Sequence, residues 1–132
     1  MRTKISVLAG GLLLLTGVPV LAHHSFAAEF DQNKPITVKG VVTKLEWMNP
    51  HAYFYIDVKE DSGKVTNWAF EMGNLSGLMR RGWRKDSLKP GDVVTVEGSL
   101  AKDGSHLAAG RSVVLADGRK VFAGSAEDGP TN

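Results

Sequence analysis

From Ala52 to Val58 every second residue is apolar: Ala52, Phe54, Ile56 and Val58 fall on one side, and Tyr53, Tyr55, Asp57 and Lys59 on the other. A period of two belongs to a β-strand with one face on a core and the other toward solvent. As a helix the same residues would scatter around the axis and bury nothing together. This segment must therefore pair with neighbouring strands, and the rest of the chain supplies them.

Upstream, Ile36 to Trp47 alternates with a change of phase: Ile36 and Val38 share one face, while Val41, Thr43, Leu45 and Trp47 share the other. Gly40 stands at the change, as a β-bulge or sharp strand bend requires. Asn49-Pro50 breaks the run as a turn. Downstream, Asp61-Ser62-Gly63 is a hairpin turn, and Val65 to Met72 returns with Thr66, Trp68, Phe70 and Met72 on one face. Asn74 caps a short helix over Leu75 to Arg81, which Gly82 ends. Pro90-Gly91-Asp92 introduces a strand from Val93 to Gly98. Asp103-Gly104 separates it from a weaker strand, His106 to Leu115, and Asp117-Gly118 permits a last short strand, Lys120 to Phe122.

Three strands, a helix, then two or three strands is the order of an OB-fold. The prediction is an all-β protein with one short helix, a small OB-fold-like Greek-key barrel of five to six strands. The rival, an immunoglobulin-like sandwich, needs about seven strands. A length of 132 residues supports one core. The expected organisation is a single domain over 23–122, with a disordered tail over 123–132 that lacks large apolar residues.

Residues 1–22 read as a cleavable signal peptide. Arg2 and Lys4 precede an uncharged stretch from Ile5 to Ala22, and Val20-Leu21-Ala22 presents small side chains where a signal peptidase cuts. The alternative, a membrane anchor, reaches the lower length limit for spanning but contains Gly10, Gly11, Gly17 and Pro19. Cleavage would place the mature chain in the periplasm or outside the cell with no membrane span. Removing Arg2 and Lys4 from the 16 Lys and Arg leaves 14, equal to the 14 Asp and Glu. A neutral exported domain has no electrostatic footing for nucleic acid. The absence of cysteine excludes a disulfide scaffold, a zinc ribbon, a thiol nucleophile and an iron–sulfur cluster.

Ala22-His23-His24-Ser25-Phe26 at the mature start, Glu46-Trp47-Met48-Asn49-Pro50-His51, Gly82-Trp83 and Pro90-Gly91-Asp92 together resemble an uncharacterised family of secreted bacterial proteins, domain of unknown function 6152. The resemblance covers His23 to about Phe122. It implies a small exported β-barrel and assigns no activity, so the chemistry has to come from the residues.

Cleavage after Ala22 makes His23 the N-terminus. Its free amine and ring can then chelate one metal ion, with His24 or a distant imidazole adding a ligand. Nitrogen-rich sites suit Cu(II), which tops the divalent affinity series, so copper is the cofactor such a site would take. His51, held at a strand end by the Asn49-Pro50 turn, is the best third ligand. Its alternative is a strand-end residue hydrogen-bonded to a backbone carbonyl. Glu29 and Asp31 are oxygen donors whose spacing demands no role, and His106 reads as a solvated turn residue.

A second class of function is a metal-free module that recognises a protein or small ligand. Its candidate surfaces are the Tyr53 and Tyr55 face, open to stacking unless the rings serve as cross-strand packing pairs, and the cationic run Arg80, Arg81, Arg84 and Lys85 around Trp83. That run is otherwise a solvated face at a helix C-terminus. There is no nucleophile elbow, metalloprotease motif, phosphate loop or acid pair, so no enzyme activity is expected. Intact-mass measurement of exported protein should show loss of Met1 to Ala22. An uncleaved, membrane-bound product would replace the secreted reading with an anchored one.

Overall fold

The computed structural model describes residues 26–124. Six strands and one capped helix follow in the order β1 (Phe30–Glu46), β2 (Tyr53–Lys59), β3 (Val65–Glu71), α1 (Leu75–Arg80), β4 (Val93–Ala101), β5 (Leu107–Val114) and β6 (Lys120–Phe122), preceded by a helical turn at residues 26–29. Hydrogen-bonded neighbours run β3-β2-β1-β4-β5-β6, and β3 also pairs with β5 in parallel. That last pairing closes β1-β2-β3-β5-β4 into a ring, which is the OB barrel the strand order predicts.

The long strand β1 belongs to both walls. Its first half pairs with β4 and its second half with β2, and Val41 is opposite Val93 on one side and Asp57 on the other. Gly40 sits at this crossover: a Cβ there would lie 2.4 Å from the Asp57 carbonyl oxygen. Gly98 plays the same part between β4 and β5, where a Cβ would lie 2.2 Å from the Ala109 oxygen. Beyond the crossover the Pro90-Gly91-Asp92 turn takes over the ladder. Val42 N–H donates to Asp92 O and Gly91 N–H donates to Val42 O, each at 2.8 Å.

The phase change in β1 falls later than the alternation suggests. Ile36, Val38, Gly40 and Val42 continue one inward row, and Val41 is 42% exposed. The register slips between Val42 and Lys44, where Thr43 is the extra residue of a bulge, and only then do Leu45 and Trp47 turn inward. Gly40 therefore marks the close approach of two strands, and the bulge makes the switch of face.

Phe54, Ile56, Phe70, Val94, Val96, Ala108 and Val113 fill the barrel with full burial, and the Phe54 and Phe70 rings stack at 5.1 Å. The helix closes one end. Asn74 Oδ1 accepts from Gly77 N–H at 2.8 Å as the cap, Leu78 points into the core, and Gly82 at φ +94° turns the chain out.

The expected tail does not begin at Ala123. That residue is fully buried, donates to Arg111 O at 2.8 Å and accepts from Gly73 N–H at 3.0 Å. Its small side chain hid this packing from a reading based on large apolar residues. Residues 125–132, like residues 1–25, on which the expected signal peptide falls, lie outside the described residues.

Phe54→Ala should cost about 3–5 kcal/mol in urea unfolding, because transfer energy and a residual cavity add. Unchanged stability would contradict the inward assignment of this row.

Candidate functional site

His51 enters β2 from a loop tied to the helix, where Asn49 Oδ1 accepts from Leu75 N–H at 3.1 Å. The backbone pairs Ala52 N–H with Gly73 O at 3.2 Å and Met72 N–H with Ala52 O at 2.8 Å, which sets His51 beside the end of β3. Its Nδ1 lies 2.9 Å from Met72 O. A carbonyl has no proton to give, so Nδ1 carries the hydrogen and donates it. Glu71 Oε1 lies 3.4 Å from the same nitrogen. Both contacts fall on Nδ1, and Nε2 has no hydrogen-bond partner among the described residues. In the neutral ring Nε2 therefore holds the lone pair.

This is the backbone-carbonyl bond anticipated as the alternative role of His51. It is also how metal-binding imidazoles are commonly oriented, with the non-ligating nitrogen held by a carbonyl or carboxylate. The His51 side chain is 39% exposed and that of Glu71 14%, so the carboxylate is the more enclosed of the two.

Across the ladder Glu71 is directly opposite Tyr53. Burial is the main cause that pushes the Tyr53 phenol well above its ordinary range. The Glu71 charge, a hydrogen bond to Glu71 and then the Glu29 charge add to it. Tyr55 is shifted upward by burial first and by Glu46 second, and its hydroxyl donates to Glu46 Oε2 at 3.3 Å. Lys44 pairs with Glu46 at 2.5 Å and lies 5.7 Å from the Tyr55 ring. Both tyrosines face outward as expected, but each is half-buried with its hydroxyl facing a carboxylate, which is poor geometry for an open stacking platform.

The helical turn at residues 26–29 packs over the outer surface next to this group. Phe30, Ala101 and Ala109 form a small cluster separate from the barrel core, and Phe26 and Leu107 pack against it. Ala109 is opposite Glu71 where β3 meets β5. Lys102 N–H donates to Glu29 O at 2.8 Å, and Lys102 Nζ donates to Ala27 O. His23 and His24 lie outside the described residues. Among the described residues no three His, Asp or Glu side chains gather as a metal site.

The cationic run needs a correction. Trp83 is only 2% exposed, packs in the main core and donates Nε1–H to Phe122 O at 2.8 Å, so it is not a surface anchor. Arg81 donates to Gly124 O at 3.3 Å with its guanidinium 4.4 Å from the Phe122 ring centre, and Arg84 donates to Trp83 O at 2.7 Å and Met79 O at 3.2 Å. All four cations are exposed, but these two arginines also fasten the helix end and the last strand through backbone carbonyls. The indole's partner lies far along the sequence, so nothing in the local run signals its burial. His106 is exposed but not merely a solvated turn residue, since its ring lies 5.0 Å from that of Trp68.

Glu71 escaped the sequence reading. The signal was present, because Tyr53 and Glu71 are equidistant from Ser62 at the centre of the hairpin turn, and counting outward from that turn pairs them.

The fold and this barrel end define a small OB barrel. It is similar to the crystal structure of a mitochondrial single-stranded DNA binding protein from S. cerevisiae, Rim1, with a TM-score of 0.50 and 12% identity over 63% of this chain and 93% of that one. At that identity the likeness shows the fold alone. No curated protein matches the sequence. The model of a family of unknown function, DUF6152, matches residues 12–110, and the chain belongs to that family. No helix among the described residues is long and apolar enough to cross a membrane.

With only two tyrosines in the chain, alkaline titration followed by tyrosinate absorbance is a direct test of the Tyr53 environment. A raised folded-state pKa means that the contribution to stability is complete below the ordinary phenol value of 10.0 and is lost as pH rises through the folded value. Both phenols should titrate late, Tyr53 later, and Tyr53→Phe should remove the later step together with part of the alkaline loss of stability. A single step at the ordinary value would contradict the Tyr53–Glu71 contact.

Proposed function

We propose that the protein is an exported periplasmic binding or accessory domain that holds one copper ion through the N-terminal amine and ring of His23, with His24 and His51 as further imidazole ligands. The observation that carries this reading is the partly exposed His51 ring, fixed through Nδ1 to Met72 O and with no hydrogen-bond partner on Nε2 among the described residues. A histidine serving the fold alone is satisfied by the first feature and has no use for the second.

Chain geometry supports it. An extended chain advances at most about 3.6 Å per residue, so the α-carbons of His24 and His23 lie within about 7 and 11 Å of that of Phe26. Phe26 packs on the cluster containing Ala109, the neighbour of Glu71, which in turn contacts His51. The signal peptide reading of residues 1–22 supplies the compartment and the free amine.

The rival reading, a metal-free recognition module, has less to work with. Tyr53 and Tyr55 face carboxylates, Trp83 is buried, and Arg81 and Arg84 are committed to backbone carbonyls. Nucleic acid, the ligand named for the yeast structure, is poorly served. The outer face of β1 to β3 sets Lys44 and Lys59 among Glu46, Asp57 and Glu71, so it offers no net cationic surface, and phosphate binding draws most of its affinity from cations.

Mature protein should bind one Cu(II) per chain in a competition titration. An extra N-terminal Gly moves the amine away from His23 and should weaken binding. His51→Ala should weaken it by about tenfold or more if the strand-end ring closes the site. Equal affinity in all three proteins would falsify the site and return the module reading.

A further inference from the structure

We propose that the turn at Ser87 and the β5–β6 hairpin hold between them a site for a carboxylate on a short apolar stem, with the Arg119 guanidinium and the Ser87 hydroxyl as its donors. The site shares no residue with the copper reading and does not depend on it.

Gly82, Trp83, Ser87, Leu115, Arg119 and Val121 line one cavity of about 60 Å³. Its floor is apolar and fixed. The Trp83 indole is held by Nε1–H to Phe122 O at 2.8 Å, and half-buried Leu115 and Val121 complete the apolar lining. Each side is a turn tied by its own hydrogen bonds. Arg84 N–H donates to Ser87 Oγ at 2.8 Å and Ser87 N–H to Arg84 O at 3.0 Å, while Leu115 N–H donates to Arg119 O and Gly118 N–H to Leu115 O, both at 2.9 Å. At Gly82 a Cβ would meet no heavy atom within 4 Å, so the cavity is open on that side.

Two donors in this lining are left over. Ser87 Oγ accepts the Arg84 N–H, and its own proton goes to no group among the described residues. Arg119 gives Nε–H to Asp117 Oδ2 at 2.6 Å, which leaves its two terminal amino groups without a partner among the described residues. That end-on fork matches the two oxygens of a carboxylate through parallel N–H···O bonds.

Size and charge narrow the ligand. One water needs about 10–15 Å³ of such space, so the cavity takes about four to six non-hydrogen atoms, a carboxylate with a short stem. Phosphate would bring up to two charges to a single guanidinium and set its remaining oxygens against apolar walls, where unpaired polar groups are costly. Outside the cavity the segment from Arg80 to Lys89 carries five cations to one acid, Asp86, a field that draws anions toward the mouth. The carboxylate can belong to a free acid or to the C-terminus of a peptide.

The test follows the Trp83 indole N–H and the Gly82 amide of the full chain by NMR, with butyrate as the probe and butanol and butylamine as controls. Butyrate should shift both signals with a Kd of about 1–10 mM, in keeping with six non-hydrogen atoms, and the controls should not. Arg119→Gln should weaken binding about tenfold or more and Ser87→Ala about two- to tenfold, as the loss of a charged and a neutral hydrogen bond requires. Asp117→Asn removes the competing carboxylate and should strengthen binding, whereas Lys85→Gln, outside the cavity, should leave it within about twofold. The Arg119 side chain is exposed and bonds only to Asp117, so Arg119→Gln should keep the unfolding midpoint and decides the matter if Ser87→Ala does not.

An acetylated peptide with a free C-terminal carboxylate, and its amide, separate the two sources. Binding at least tenfold tighter than butyrate and lost in the amide assigns the site to chain termini, and equal or weaker binding assigns it to free acids. Absent butyrate shifts, affinity unchanged in Arg119→Gln, or an equal loss in Lys85→Gln overturns the site. Inorganic phosphate binding as tightly as butyrate overturns the carboxylate assignment.

Discussion

One strand has to serve as part of two walls, and everything else in this barrel follows from how β1 does so. Between Gly40 and Val42 it leaves β4 and joins β2, at a point where the backbones approach too closely for any side chain larger than hydrogen. The bend lets β2 and β3 curl away from β4 and β5 and meet them again on the far side. There β3 and β5 pair in parallel over three residues, Ala69 to Glu71 against Leu107 to Ala109. Such a closure is short, and the stacked Phe54 and Phe70 rings behind it hold the two halves at the right separation.

The same closure decides what stands at this end of the molecule. Because Glu71 is the last residue of β3 and Ala109 its partner, the carboxylate emerges where the sheet changes from antiparallel to parallel pairing. A small residue at 109 leaves room for the Phe26 and Phe30 rings on the outside. Tyr53 stands across the ladder, and burial keeps its phenol protonated so that it can donate to the carboxylate. With its side chain only 14% exposed, the carboxylate depends on such contacts to offset the cost of leaving water.

Most of the barrel could be read from the chain because short-range rules and the tertiary fold agree. The Ala52 to Val58 row, the Asp61-Ser62-Gly63 turn, the Asn74 cap and the Pro90-Gly91-Asp92 entry all appear where the sequence places them. The misses share a cause, which is pairing between residues distant in sequence. The phase change in β1 is displaced to Thr43 because the register against β2, invisible in β1 alone, decides where the extra residue goes. Trp83 is buried because Phe122, on the last strand, offers its carbonyl to the indole. Ala123 is buried because Gly73 and Arg111 take its backbone groups, which no side-chain pattern reveals. At the candidate site the position of His51 at a strand end was legible. The carbonyl that orients it was not, because Met72 contributes only its backbone there while its side chain lies in the core.

That orientation separates the two roles a strand-end histidine can play. Fixing an imidazole costs rotamer entropy of up to about 1–2 kcal/mol, which a free side chain would have to lose when a ligand arrives. Here the loss is already met by the Nδ1 contacts with Met72 and Glu71, and the fold gains one hydrogen bond in return. The ring is not enclosed by the fold. It remains more than one-third exposed, with the proton on the enclosed nitrogen and the lone pair on the other. Glu71 adds to the asymmetry, since a carboxylate near Nδ1–H makes Nε2 a better donor to a cation and leaves its direction unchanged. A ring so held has its direction set before any ligand arrives.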